Sequence, residues 1–172
     1  SAKPLIFKLS GAWGNHEGSM LLWVTVLAAS GALVALLERR LPERTMMATL
    51  AAQAAIAAGF YAFLLFSSNP FERIDPVPPE GLGLNPLLQH WAMVIHPPVL
   101  YLGFIGFLVP FAFAIAALIT RQLGDTWIRT TRRWTLLTWL FLGIGLILGG
   151  KWAYDVLGWG GYWAWDPVEN SS

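Results

Sequence analysis

The residues best suited to chemistry gather near the end of the chain, in Trp159-Gly160-Gly161-Tyr162-Trp163-Ala164-Trp165-Asp166. Three indoles, a phenol, two glycines and a carboxylate fall within eight residues, with Trp152 and Tyr154 just before them. Flat rings stack on flat ligands, and glycine lets a planar molecule come close to the backbone. The segment therefore reads as a platform for a porphyrin, a quinone or a sugar ring. The plainer alternative is an anchoring belt, because Trp and Tyr collect at bilayer interfaces. A belt spreads one or two rings per helix end and needs neither paired glycines nor an Asp among them.

Asp166-Pro167-Val168-Glu169 has the spacing of a capping box, with Asp166 as N-cap, Pro167 at the first helical position and Glu169 at the third. It would tie the platform to the start of a following helix. His96 precedes Pro97-Pro98, which favours an extended backbone there and puts its ring at the top of a span. Imidazole is a common ligand of iron and zinc, although a lone histidine can equally be a polar residue at the interface. His16 and His90 sit in two other segments. No H-E-x-x-H spacing is present, and a zinc site needs several protein ligands. With no cysteine in the chain, disulfides, thiolate ligands and thiol nucleophiles are excluded, as is a C-x-x-C-H haem attachment. G-x-S-x-G, P-loop and G-x-G-x-x-G motifs are missing too, and no residue is assigned as a catalytic acid or base.

The elements that must position these residues follow from composition. Apolar residues make up 56% of the 172 and charged residues 12%, the balance of an all-α polytopic membrane protein. The expected order is an entry segment 1–18, a span 19–37, a charged loop 38–45 and a second span 46–66. A long loop 67–96 follows, with a short amphipathic surface helix after Asn85-Pro86. A third span 97–119, bent at Pro110, leads to a basic loop 120–133, a fourth span 134–150 ending in Gly149-Gly150, and the Trp-rich segment 151–172. Gln53, in the second span, should face a neighbouring helix. Loops 38–45 and 120–133 carry seven Arg/Lys against three Asp/Glu; the other three loops carry four against seven. The positive-inside rule puts the first pair in the cytoplasm, and the Trp-rich segment and all three histidines outside. Nothing suggests nucleic-acid binding, since the basic residues lie in short membrane-flanking loops. The absence of a starting Met and of any signal peptide suggests a piece of a longer polytopic protein.

The stretch 159–170 (WGGYWAWDPVEN) resembles the WWD motif of haem-handling membrane proteins. Together with 13–20 (WGNHEGSM) and 85–104 (NPLLQHWAMVIHPPVLYLGF), it is similar to the CcmF/NrfE family of cytochrome c-type biogenesis proteins. The likeness runs from Trp13 to Asn170, departing from the common pattern at Tyr162 and Ala164. The resemblance implies the core of a haem lyase in a bacterial inner membrane. Haem b from the chaperone CcmE would rest on a periplasmic WWD loop formed by Trp152, Trp159, Gly160, Gly161, Trp163, Trp165 and Asp166. His96 would be one axial ligand of its iron; the second, and the ligands of another haem b, would lie past Ser172. Apocytochrome c, presented with CcmH and CcmI, would receive the haem through two thioether bonds. Carrying half of the axial ligation, these residues alone are not expected to form an active lyase. Two other functions share the same aromatic face: an exporter of haem or another flat substrate, which would need polar residues along a path through the bundle, and a sugar- or quinone-binding membrane module.

Overall fold

In hydrocarbon no water satisfies backbone N–H and C=O groups, so apolar runs that enter it fold as helix. The computed structural model describes residues 3–171 other than 74, 78, 80, 82 and 123; Pro78 and Glu80 of the expected long loop thus lie outside the described residues. A short helix α1 (Leu5–Ser10) and a 3-10 turn (Gly11–Trp13) precede α2 (His16–Leu37) and α3 (Glu43–Ser67). A second 3-10 turn (Pro86–Leu88) leads to α4 (Trp91–Phe104), a third (Ile105–Phe107) to α5 (Leu108–Ile119), and then come α6 (Thr126–Val156) and α7 (Pro167–Ser171). Four helical units are long and apolar enough to cross a membrane: α2, α3, the run Trp91–Ile119 and α6. The protein is an all-α polytopic bundle, with no strand among the described residues.

Local chemistry sets several boundaries. Asn15 caps α2, its side chain accepting the Gly18 N–H at 2.9 Å. A Cβ on Gly18 would stand 1.8 Å from the Ala12 carbonyl oxygen, so the preceding turn can fold back this closely only onto glycine. The third 3-10 turn comes just before Pro110, which cannot donate the bond a regular helix would need.

The closest packing is between α4 and α6. It depends on small residues, as expected where lipid supplies no hydrophobic drive between helices. Gly103 meets the Leu142 backbone, Gly106 meets Thr138, Gly145 meets Leu100, and Gly149 meets the His96 ring. A second cluster joins α2, α5 and α6 through Val34, Val109, Phe113 and Trp134. Gln53 of α3 faces α2, donating to the Leu27 carbonyl at 3.1 Å and the Ser30 hydroxyl at 2.8 Å.

At one end of the bundle the turn after α2 is locked to α6. Buried Glu38 accepts from Arg133 Nε at 3.0 Å, from Arg133 Nη2, and from the buried indole N–H of Trp134 at 2.6 Å. Gln122 adds a bond to Thr45. Glu38→Ala would strand the Trp134 donor, so a loss of about 1–3 kcal/mol is expected. Thermal unfolding in detergent measures this, and an unchanged midpoint would show the node to be dispensable.

The opposite end departs from the sequence reading in three ways. Residues 86–95 do not form a separate surface helix: after one 3-10 turn, α4 starts at Trp91. His96 is therefore helical rather than extended, with Pro97 and Pro98 inside the helix. Packing against α6 sustains a helix that two missing N–H donors weaken, as neighbouring helices commonly do in membranes. Finally, α6 does not stop at Gly149-Gly150 but runs to Val156. The paired glycines serve close packing, and Leu157 is the C-cap of the helix, followed by Gly158 at φ +70° in the left-handed C′ position. The short helix at this end that the sequence did not reveal is α1.

Candidate functional site

His96 lies near the end of the bundle where α4 begins and α6 finishes. Its Nδ1 is 2.8 Å from the carbonyl oxygen of Gly145. A carbonyl only accepts, so Nδ1 carries the proton. Nε2 of the neutral ring then holds a lone pair, the usual form of a metal-ligating imidazole whose other nitrogen is fixed by a backbone carbonyl. The ring is half-buried and rests on Gly149, where an added Cβ would stand 2.6 Å from Cε1. Gly145 and Gly149 are thus part of the site: one orients the ring and the other makes room for it. Their four-residue spacing was the available sequence signal.

The Trp-rich segment folds back over the next position of α6. An added Cβ on Gly150 would lie 3.3 Å from the Tyr162 carbonyl oxygen. The His96 ring and the loop thus pack on consecutive residues of α6, Gly149 and Gly150. Gly160 sits at φ +75°, a conformation that favours glycine. Trp159 bonds back to the Gly161 carbonyl through its indole N–H, and its ring is half exposed. The rings of Trp163 and Trp165 meet edge to face, with centroids 6.5 Å apart and planes at 80°. They form a corner rather than one flat shelf.

Trp165 is 76% exposed and its backbone is at φ +61°, an unusual place for a bulky residue. Three bonds hold it there. The Glu169 carboxylate accepts the Trp165 N–H at 2.9 Å and the Ala164 N–H, and the Asn170 amide donates to the Trp165 carbonyl at 2.9 Å. Asp166 accepts the Glu169 N–H at 2.7 Å, the N-cap half of the expected capping box. The reciprocal half differs: Glu169 reaches past the N-cap to the two preceding amides. Glu169 and Asn170 are the residues sequence reasoning missed here, because the box spacing indicated a helix start and not a clamp on an indole. Glu169→Ala is expected to release Trp165 from the left-handed region, changing tryptophan fluorescence while leaving helix content intact. Unchanged emission would mean that the clamp holds nothing.

The other candidates are engaged elsewhere. Trp152 is on α6, not in the loop, and donates its indole N–H to the Leu87 carbonyl at 3.0 Å. His90 caps α4 by accepting the Ala92 N–H at 3.3 Å, with Nε2 3.5 Å from Asp155, which also pairs with Lys151. His16 bonds Ser68 at 2.9 Å and meets Phe63 edge-on. Among the described residues no group of three or more His, Asp or Glu is placed to hold a metal ion. The candidate ligand set is one imidazole, seated on Gly149, with the Trp-rich loop packed on the next residue of α6.

The profile of the cytochrome C assembly protein family matches residues 13–172. The chain belongs to that family. Cytochrome C assembly proteins similar to it include CycK of Bradyrhizobium diazoefficiens, 54% identical over 172 residues, covering the whole chain and 26% of the relative. CcmF of Escherichia coli K12 is 49% identical over 170 residues, 98% of the chain and 26% of the relative. NrfE of Haemophilus influenzae is 49% identical over 173 residues, the whole chain and 27% of the relative. All three carry the description "cytochrome c-type biogenesis protein". The chain thus spans about a quarter of the length of these assembly proteins, and its four span-capable helices make it a multi-pass membrane protein. No solved structure matches it.

Proposed function

We propose that this chain is the haem-presenting part of a cytochrome c haem lyase. The observation that carries the reading is the setting of His96: one ring nitrogen is committed to Gly145, the other is left for iron, and the ring rests on Gly149 of α6 while the Trp-rich loop packs on Gly150, the next residue. Haem b is the substrate, flat and apolar enough to lodge against the corner of Trp163 and Trp165. Trp159, Gly160 and Gly161 would line its edge. Asp166 would act indirectly, by starting α7. Trp152 would brace α6 against the turn before α4.

In this reading the segment 151–172 and the loop 67–96 face the periplasm of a bacterial inner membrane, and the basic loops 38–45 and 120–133 face the cytoplasm, with spans near 19–37, 46–66, 97–119 and 134–150. CcmE would deliver haem, and CcmH with CcmI would present apocytochrome c. Each cysteine thiol adds across one vinyl group, sulfur to one carbon and hydrogen to the other, with no net gain or loss of electrons. The chain's own residues would supply position: His96 would hold the iron, and the loop would hold the haem for attack at its vinyl groups.

Trp163→Ala with Trp165→Ala in the full-length protein tests the loop's part. Haem retained through purification should fall roughly tenfold, from loss of stacking of about 0.5–1.5 kcal/mol per ring. Retention equal to the parent protein would remove the loop from the site.

A further inference from the structure

The far end of the bundle holds a cavity that no part of the haem reading uses. It has a volume of about 390 Å³ and lies between the turn after α2 and the first two turns of α6. Three guanidiniums line it, those of Arg40, Arg129 and Arg133, with the hydroxyl-bearing Thr126 and Thr130 beside them. Two of the three are held in place by carboxylates. Arg133 is bound to Glu38 through Nε and Nη2, and Arg129 to Asp125 through Nε and Nη2. Each keeps its Nη1 edge for another acceptor. Arg40 pairs with no carboxylate among the described residues.

Charge and location together select a ligand. Three guanidiniums against Glu38 and Asp125 leave one positive charge, the complement of one phosphodiester. The cavity is at the ends of span-capable helices, where headgroups lie. Its wall includes apolar Leu41 and Pro42. Beside it the membrane-facing surfaces of α2 and α6 expose Leu36, Leu37, Leu136 and Leu137. Guanidinium forks match phosphate oxygens in pairs, and basic pockets between membrane helices hold anionic headgroups.

We propose that this cavity binds the phosphodiester of an anionic phospholipid, with the acyl chains lying along the exposed leucines of α2 and α6. A lipid held there would bridge the turn after α2 to α6, reinforcing the Glu38–Arg133–Trp134 node.

The test uses full-length protein in phosphatidylcholine nanodiscs doped with phosphatidylglycerol, with retained lipid counted by native mass spectrometry. Arg40→Gln breaks no ion pair and should weaken phosphatidylglycerol retention about fivefold; Arg40→Gln with Arg129→Gln should weaken it roughly 30-fold, at about one surface cation's contribution each. Both variants leave the Glu38 node intact, and circular dichroism checks that they remain helical. Arg121→Gln with Arg132→Gln removes the same charge outside the cavity and should change little. An equal loss in that control would reduce the effect to overall charge and overturn the site. Inorganic phosphate binding as tightly as phosphatidylglycerol would do the same, by making the ligand a free anion.

Discussion

Full-length protein carrying His96→Ala is expected to lose the low-spin absorption signature of haem held at the Trp-rich loop. Losing an oriented ligand should weaken iron binding at least on the order of 10–100-fold, the range seen when only an outer partner of a metal-bound histidine is removed. The geometry makes this a test of ligation and not only of packing. The ring is fixed by the Gly145 carbonyl at 2.8 Å and seated on Gly149, so its removal leaves a ring-shaped space between two glycines. Free imidazole should enter that space and restore part of the low-spin spectrum without restoring helix–helix packing. A variant with unchanged haem content and spectrum would show that the iron takes its ligand elsewhere, and the proposed site would fall with it. His90→Ala should instead weaken the start of α4, because His90 caps that helix and faces Asp155.

The second large effect is expected at a position far from any chemistry. Gly103→Ala would put a Cβ 2.3 Å from the Leu142 nitrogen and 2.5 Å from its Cα. Both are backbone atoms, so no side-chain rotation relieves the overlap. Helices α4 and α6 must separate until the contact reaches the ordinary range above 3.4 Å. Overpacking of this kind destabilises by about 1–3 kcal/mol. Because Gly145–Leu100 and Gly149–His96 lie on the same seam, the displacement should also lengthen the His96–Gly145 bond. The variant is thus expected both to melt earlier and to retain haem less well. Gly59→Ala, where an added Cβ meets nothing within 4 Å, is the matched control and should leave both unchanged. Equal behaviour of the two variants would mean that the seam is looser than its distances indicate.

Composition and apolar run length were enough to establish four membrane-crossing units in an all-helical chain, because hydrocarbon leaves the backbone few alternatives. Local pattern also revealed the interior-facing Gln53 and the Asp166 cap, since each depends on residues near in sequence or on the cost of a polar group in lipid. The family was legible from segments 13–20, 85–104 and 159–170.

What the sequence could not decide were features that depend on a partner helix. Pro97-Pro98 argued for an extended His96, and only packing on α6 shows it to be helical. Gly149-Gly150 looked like a helix end, but two surfaces press on the paired glycines there, the His96 ring on one and the Tyr162 backbone on the other. The spacing Asp166-x-x-Glu169 predicted a cap, while the fold also uses Glu169 and Asn170 to hold Trp165 at positive φ. Local rules describe the energy of a segment alone; a ring seated on a glycine of another helix gains energy that no local rule contains. The sequence by itself determined that this chain crosses the membrane and carries an aromatic loop. The tertiary structure decided which nitrogen of His96 is left for a ligand, because that choice rests with a carbonyl 49 residues away.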